Sequence, residues 1–217
     1  MSVRASISER VGIEGPAGNL ECIVEDVGAD AQGFAVVCHP HPLFGGTMDN
    51  KVVVSIARAL QESRISTIRF NFRGVGSSAG TYDEGRGECA DAQSVADWGA
   101  RRWPALALTC AGFSFGSYVA LQLALSRPTA RLITIAPAVT RFDFNRLKRP
   151  DCPWLIVQGD ADDVVDPQAV IDWAGSLSPP VTLVLMPGSG HFFHGKLIEL
   201  KEIVLAEIRS GASRSGA

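Results

Sequence analysis

The sequence predicts a single α/β domain over residues 1–217, built on a mostly parallel eight-stranded sheet with helices on both faces. Three observations carry this. Apolar runs of strand length recur along the chain, helical patterns lie between most of them, and the first two runs are joined by a turn too short for a crossover.

In chain order, "RVGIEG" (10–15) is read as a first strand and "NLECIVEDV" (19–27) as the second, joined through "GPAGN" as an antiparallel hairpin. "GFAVVCH" (33–39) follows, then a helical pattern over 49–62 and a strand in "STIRFNF" (66–72). The next helix covers 85–102. "LALTCAG" (106–112) leads into a helix over 115–126, and "RLITIAPAV" (131–139) and "PWLIVQG" (153–159) are the sixth and seventh strands. A helix over 167–177, a strand in "VTLVLMPG" (181–188) and a helix over 193–209 complete the series; Leu197, Leu200, Ile203, Val204 and Ile208 mark the apolar face of the last. Strands alternating with helices imply a parallel sheet covered on both sides. Residues 1–8 and 210–217 show no periodic apolar face and are expected to fray.

Composition narrows the function. A formal net charge of −3 offers no broad basic field, which argues against nucleic acid as a partner and for a small molecule. No run of about 18 apolar residues appears and the first residues do not read as a signal peptide, so no membrane partner and a cytoplasmic location are expected. The five cysteines, none in a C-x-x-C pair, read as buried reduced thiols.

The chemistry centres on G-x-S-x-G, which occurs twice. Gly112-Phe113-Ser114-Phe115-Gly116 follows a strand and opens directly onto a helix, as a nucleophile elbow requires. Gly76-Ser77-Ser78-Ala79-Gly80 is followed by glycines and acidic residues that delay any helix, so Ser114 is the candidate nucleophile and Ser78 is not. The same earlier loop spells G-x-G-x-x-A from Gly74, but the late helix argues against a dinucleotide site.

A serine hydroxyl needs a base. His191 follows a strand on the small-residue loop "PGSG"; His194 is expected inside the last helix. The base in turn needs a carboxylate to hold its tautomer. "GDADDVVDP" offers Asp160, Asp162, Asp163 and Asp166: Asp162 sits in the turn itself, Asp163 and Asp160 come next, and Asp166 before Pro167 reads as a helix N-cap. Oxyanion donors are expected from the N–H of Phe115 and, in "CHPHPLFGGTMDNK", from Leu43, with Phe44 as the alternative. His39 and His41 lie two apart with no carboxylate or cysteine beside them, so no metal site is expected, and no cofactor is required. Phe113, Phe115, Phe142 and Phe192 are candidates to line the site or to be core; Arg73 and Asp83 are expected to pin their loop.

Taken together, "GFSFG", "GDADDVV" and "GSGHFFHG" after the fifth, seventh and eighth strands resemble the α/β-hydrolase superfamily over nearly the whole chain. "HPHPLFGGTMDNKVV", "RFNFRGVGSSAGTYDEGRGE" and "GHFFHGKL" look more narrowly like its small, lidless bacterial members, mostly known as predicted esterases. The resemblance implies a triad of Ser114, Asp162 and His191, and "LFG" is similar to the oxyanion stretch of dienelactone hydrolases, which supports Leu43. Only about a dozen residues separate the sixth and seventh strands, where larger members insert a cap, so no cap domain is expected. The reading is a serine hydrolase of small or short-chain acyl esters. Thioesterases and peptidases share the chemistry, a non-catalytic binding member is the alternative outside it, and a nucleotide-binding oxidoreductase is more distant.

Overall fold

In the computed structural model, which describes residues 7–214, the alternating signals become one eight-stranded sheet. Its strands are β1 (Ile7–Gly15), β2 (Gly18–Asp26), β3 (Gly33–Cys38), β4 (Ile65–Phe70), β5 (Leu108–Phe113), β6 (Arg131–Ile135), β7 (Trp154–Gly159) and β8 (Thr182–Met186). The helices are α1 (Lys51–Glu62), α2 (Arg86–Arg102), α3 (Phe115–Ser126), α4 (Pro167–Ser176) and α5 (Leu197–Arg214). Spatial order runs β1-β2-β4-β3-β5-β6-β7-β8. β1 and β2 form the expected antiparallel hairpin, closed at Gly15 and Gly18, and β2 also meets β4 antiparallel. From β4 to β8 every neighbouring pair is parallel.

The central strands are buried on both sides, and their side chains divide by alternation. Val36, Cys38 and Cys110 join the core beneath α2, α3 and α4, with Val95, Val119, Val170 and Trp173. Ala35, Val37, Ala111 and Phe113 point the other way, to Val52, Ile56, Leu200, Val204 and Ile208 of α1 and α5. Two apolar cores therefore clamp one sheet. Burial of this kind stabilises by roughly 25 cal/mol per Å² of apolar surface, which makes the sheet a rigid base for the loops at its carboxyl edge.

Several boundaries move for local reasons. β6 stops at Ile135 rather than 139, where Ala136 turns to φ 45° ahead of Pro137. α5 starts at Leu197 rather than 193, because Phe193 (φ 52°) and Gly195 (φ 74°) break the backbone before it. His194 consequently lies in an exposed turn and not in the helix. Ile7 and Ser8 belong to β1 and residues 210–214 to α5, so those parts of the expected tails are ordered elements; residues 1–6 and 215–217 lie outside the described residues.

Polar side chains tie the loops down. His39, fully buried, donates from Nδ1 to the Pro40 carbonyl (2.6 Å) and accepts the Phe72 N–H at Nε2 (3.0 Å). Burial, the leading cause, drives its pKa down to about 3, so the ring stays neutral and both nitrogens are spent. Arg73 pins its loop as expected, through a two-pronged contact with Asp91 (3.0 and 2.7 Å). Asp83 holds Arg86 (2.9 Å) and gives its N–H to Glu88 (2.9 Å). Ser78, the serine of the second G-x-S-x-G, is buried and bonds the Asn71 carbonyl (2.7 Å) while accepting the Glu21 N–H (2.9 Å). Its hydroxyl is a tie between strands.

At the junction of β5 and α3 backbone packs directly on backbone. One residue, Ser114, makes the whole turn, at φ 55° and ψ −116°. A Cβ on Gly112 would stand 2.1 Å from the Gly116 carbonyl oxygen, and one on Gly116 would stand 2.3 Å from the Cys38 oxygen. Both glycines are thus demanded by backbone against backbone, which cannot swing aside as a side chain would. Gly116→Ala is expected to cost about 3 kcal/mol in urea unfolding; a loss below about 1 kcal/mol would show that the junction has room to relax.

Candidate active site

The elbow lifts Ser114 over the carboxyl edge of the sheet, where α/β folds bind their ligands. Its N–H donates to the Ile135 carbonyl (2.8 Å), and Ser117 Oγ in the first turn of α3 reaches the Gly112 and Ile135 carbonyls (3.0 and 3.1 Å). The strained serine is held on both sides.

From Ser114 Oγ a polar line runs inward. His191 Nε2 lies 3.1 Å from the hydroxyl, and His191 Nδ1 lies 2.8 Å from Asp162 Oδ2. Ser114, His191 and Asp162 are each less than a tenth exposed. An ionised carboxylate only accepts, so Nδ1 carries the proton and Nε2 is left to accept from the serine O–H. Asp162 Oδ1 takes the N–H groups of Val164 and Val165 (2.8 Å each), and Oδ2 takes a further bond from Gln158 Nε2 (3.0 Å). Burial would raise the carboxyl pKa, but the His191 bond and the two amides outweigh it, and the pKa falls below the ordinary value. Phe113 packs its ring against His191 at 5.0 Å between centroids.

The neighbouring aspartates are occupied differently. Asp160, exposed, accepts the Gly188 N–H (2.6 Å); Asp166 caps α4 at the Gln168 N–H (3.0 Å), with Pro167 first in the helix, as expected; Asp163 faces solvent.

Around Ser114 the described residues enclose a cleft of about 340 Å³, walled by His41, Phe44, Phe115, Phe142, Val165 and Phe192 among others. Phe115, Phe142 and Phe192 line it. Phe113 does not: alternation along β5 turns it into the core beneath α1 and α5. The Phe115 N–H, first in α3, has no acceptor among the described residues and is a free donor beside Ser114. Leu43 differs from the simplest expectation. Its N–H donates to His41 Nδ1 (3.2 Å), its side chain is exposed, and the alternative Phe44 N–H is bound to the His41 carbonyl (3.1 Å).

Competing nucleophiles are weak. All five cysteines are free; burial raises the thiols of Cys22, Cys89 and Cys110 to about 12 and those of Cys38 and Cys152 above their ordinary value. Among the described residues no helix is long and apolar enough to cross a membrane, and no group of three His, Cys, Asp or Glu side chains is arranged to hold a metal ion.

Gln158 and Asp91 were not singled out from the sequence. Gln158 carries no local signal, since a glutamine inside a strand reads as an exception in an apolar run until its partner four residues on is seen to be Asp162. Asp91 reads as one more acidic residue of α2 until Arg73 is brought beside it.

Comparison with known proteins matches this architecture. Residues 35–147 fit the family model described as serine aminopeptidase, S33, a span that includes the elbow but neither Asp162 nor His191. An α/β serine hydrolase homologue from Coxiella burnetii is 44% identical, with a TM-score of 0.89 over 95% of this chain and 99% of that one. A serine hydrolase without a lid from Xanthomonas campestris is also 44% identical, with a TM-score of 0.89 over 97% of each chain. An uncharacterized protein of Rickettsia prowazekii is 34% identical over 205 residues, spanning 90% of this chain and 86% of its own. With its sheet order, its single-residue elbow and no cap between β6 and β7, the chain belongs to the α/β-hydrolase family of serine hydrolases, among its small, lidless members.

Proposed function

We propose that the protein is a single-domain serine hydrolase of short-chain carboxylic esters, working through an acyl-enzyme. The observation that carries this is the unbroken line from Ser114 Oγ through His191 to Asp162, at 3.1 and 2.8 Å. Ser114 Oγ attacks the ester carbonyl as His191 Nε2 takes its proton. The tetrahedral intermediate collapses, His191 returns that proton to the departing alkoxide, and the alcohol leaves. Water then enters; His191 removes its proton, the hydroxide adds to the acyl carbon, and Ser114 departs with the proton back on its oxygen. Asp162 stays ionised and holds the ring in the tautomer that accepts at Nε2.

The developing oxyanion is met by the free N–H of Phe115 and by that of Leu43. The second donor has to exchange the His41 ring, which packs among Phe44, Tyr82, Phe115 and Phe142, for the substrate oxygen. Catalytic hydrogen bonds commonly tighten only when substrate is present. Each such donor is worth about 2.7–4 kcal/mol of barrier.

Short acyl groups suit the cleft, because it is small, about 340 Å³, and the connection from β6 to β7, which contributes Ala138, Arg141 and Phe142 to its wall, is too brief to carry a cap domain. Esters are favoured over the N-terminal peptides that the family model's description suggests. An aminopeptidase must bind a free ammonium, and no Asp or Glu lines this cleft among the described residues. The five unpaired thiols support action in a reducing compartment, the cytoplasm.

The test is a set of para-nitrophenyl esters of rising acyl length, with aminoacyl para-nitroanilides alongside. Acetyl to butyryl esters should turn over fastest, octanoyl esters poorly and the anilides slower than any short ester; faster anilide cleavage would replace the ester reading with a peptidase. Ser114→Ala should abolish turnover, and Asp162→Asn should lower kcat by about a thousandfold or more. Asp162, whose pKa is held below its ordinary value by the His191 bond and the Val164 and Val165 amides, stays charged into mildly acidic solution, so turnover should not be lost there through protonation of this carboxylate.

A further inference from the structure

We propose that the cleft selects esters that themselves carry a carboxylate, and that Arg141 is the residue that reads it. This rests on the esterase reading above and adds the substrate's charge to it. Arg141 stands on the short connection between β6 and β7 and lines the cleft together with His41, Phe142 and Ser114. Among the described lining residues it is the one Lys, Arg, Asp or Glu, so no carboxylate of the protein faces it across the cleft.

Nor is the guanidinium paired elsewhere. Among the described residues Arg141 forms no ion pair, and the acid nearest in sequence, Asp143, is already taken by Arg146 at 3.0 Å. Arg69, Arg73, Arg86 and Arg127 meet carboxylates, so the cleft arginine keeps a charge that these spend within the protein. The charge is felt inside the site. His41 is shifted toward its neutral form first by burial and second by Arg141.

Most of the remaining wall is apolar: Phe44, Phe115, Phe142, Val164, Val165 and Phe192. Beside such a wall a charge acts through a lower effective dielectric than in open water, and a guanidinium's planar fork suits a carboxylate in particular. The segment "TRFDFNRLKRPDC" carries four basic residues against two acidic ones in a chain of net charge −3, and of those four Arg141 is the one that lines the cleft. A neutral ester would leave this feature unused; an acidic one would be drawn in and oriented.

The carboxylate can lie on the acyl or the alcohol half of the ester, and paired substrates separate the two. The first pair is mono-para-nitrophenyl glutarate and para-nitrophenyl pentanoate; the second is the pentanoyl ester of para-hydroxybenzoate and that of its methyl ester. In at least one pair the carboxylate-bearing ester should have the higher kcat/KM, by about tenfold and mainly through KM. The advantage should shrink as salt is added. Arg141→Met should bring that ratio near one, and Arg141→Lys should restore part of it, because a lysine keeps the charge without the fork. Because Arg141 is exposed on a loop, both variants should fold like the wild type.

Preference for the neutral ester in both pairs, or a ratio that survives Arg141→Met, overturns the inference while leaving the esterase reading intact. Wild-type protein inert toward all four esters overturns both.

Discussion

Everything at the site depends on one close approach, the backbone of Gly116 against the Cys38 and His39 carbonyls at the end of β3. That contact sets how near α3 can come to the sheet, and so how sharply the chain must turn between Phe113 and Phe115. Ser114 absorbs the turn in a backbone region that side chains rarely adopt. Such strain persists only where the surroundings are over-determined. Here two apolar cores grip the sheet from either face, and Ser114 and Ser117 both anchor on the Ile135 carbonyl.

The loops that carry the other groups are held by polar contacts of a different kind. Asp162 is gathered into its turn by the Val164 and Val165 amides before it meets the imidazole, and Gln158 steadies it from β7. His39 links the end of β3 to the residues after β4, and Arg73 with Asp91 ties the next loop to α2. These bonds are wholly or partly buried, where an unmet partner costs more than in water. The edge of the sheet is therefore stiff where chemistry needs alignment and open where a substrate enters.

Much of this was legible in the residues because it obeys local rules. Strand runs, the hairpin turn and the Asp166-Pro167 helix start depend on neighbours in sequence, and the elbow could be told from its double at Ser78 by the residues that come after each serine. Choosing Asp162 among four aspartates rested on its place in the turn, and the neighbours Asp160 and Asp166 indeed hold other amides. The features that escaped were set by distant partners. Nothing near Asp91 announces Arg73, nothing near Gln158 announces its role, and whether Phe113 faced cleft or core depended on the alternation of a strand whose exact end was open. The Leu43 amide met His41 because a short turn brings the ring back over its own backbone. The last helix began late because Phe193, buried in the core beneath α1 and α5, holds a positive φ that its neighbours in sequence do not announce.

The central claim is that Ser114 is a nucleophile made reactive by His191. The direct measurement is intact mass after treatment with a fluorophosphonate probe, on the wild type, Ser114→Ala and His191→Ala. The account predicts one adduct on the wild type, none on Ser114→Ala, and greatly slowed labelling of His191→Ala. No adduct on folded wild-type protein, or equal labelling without the histidine, would contradict it.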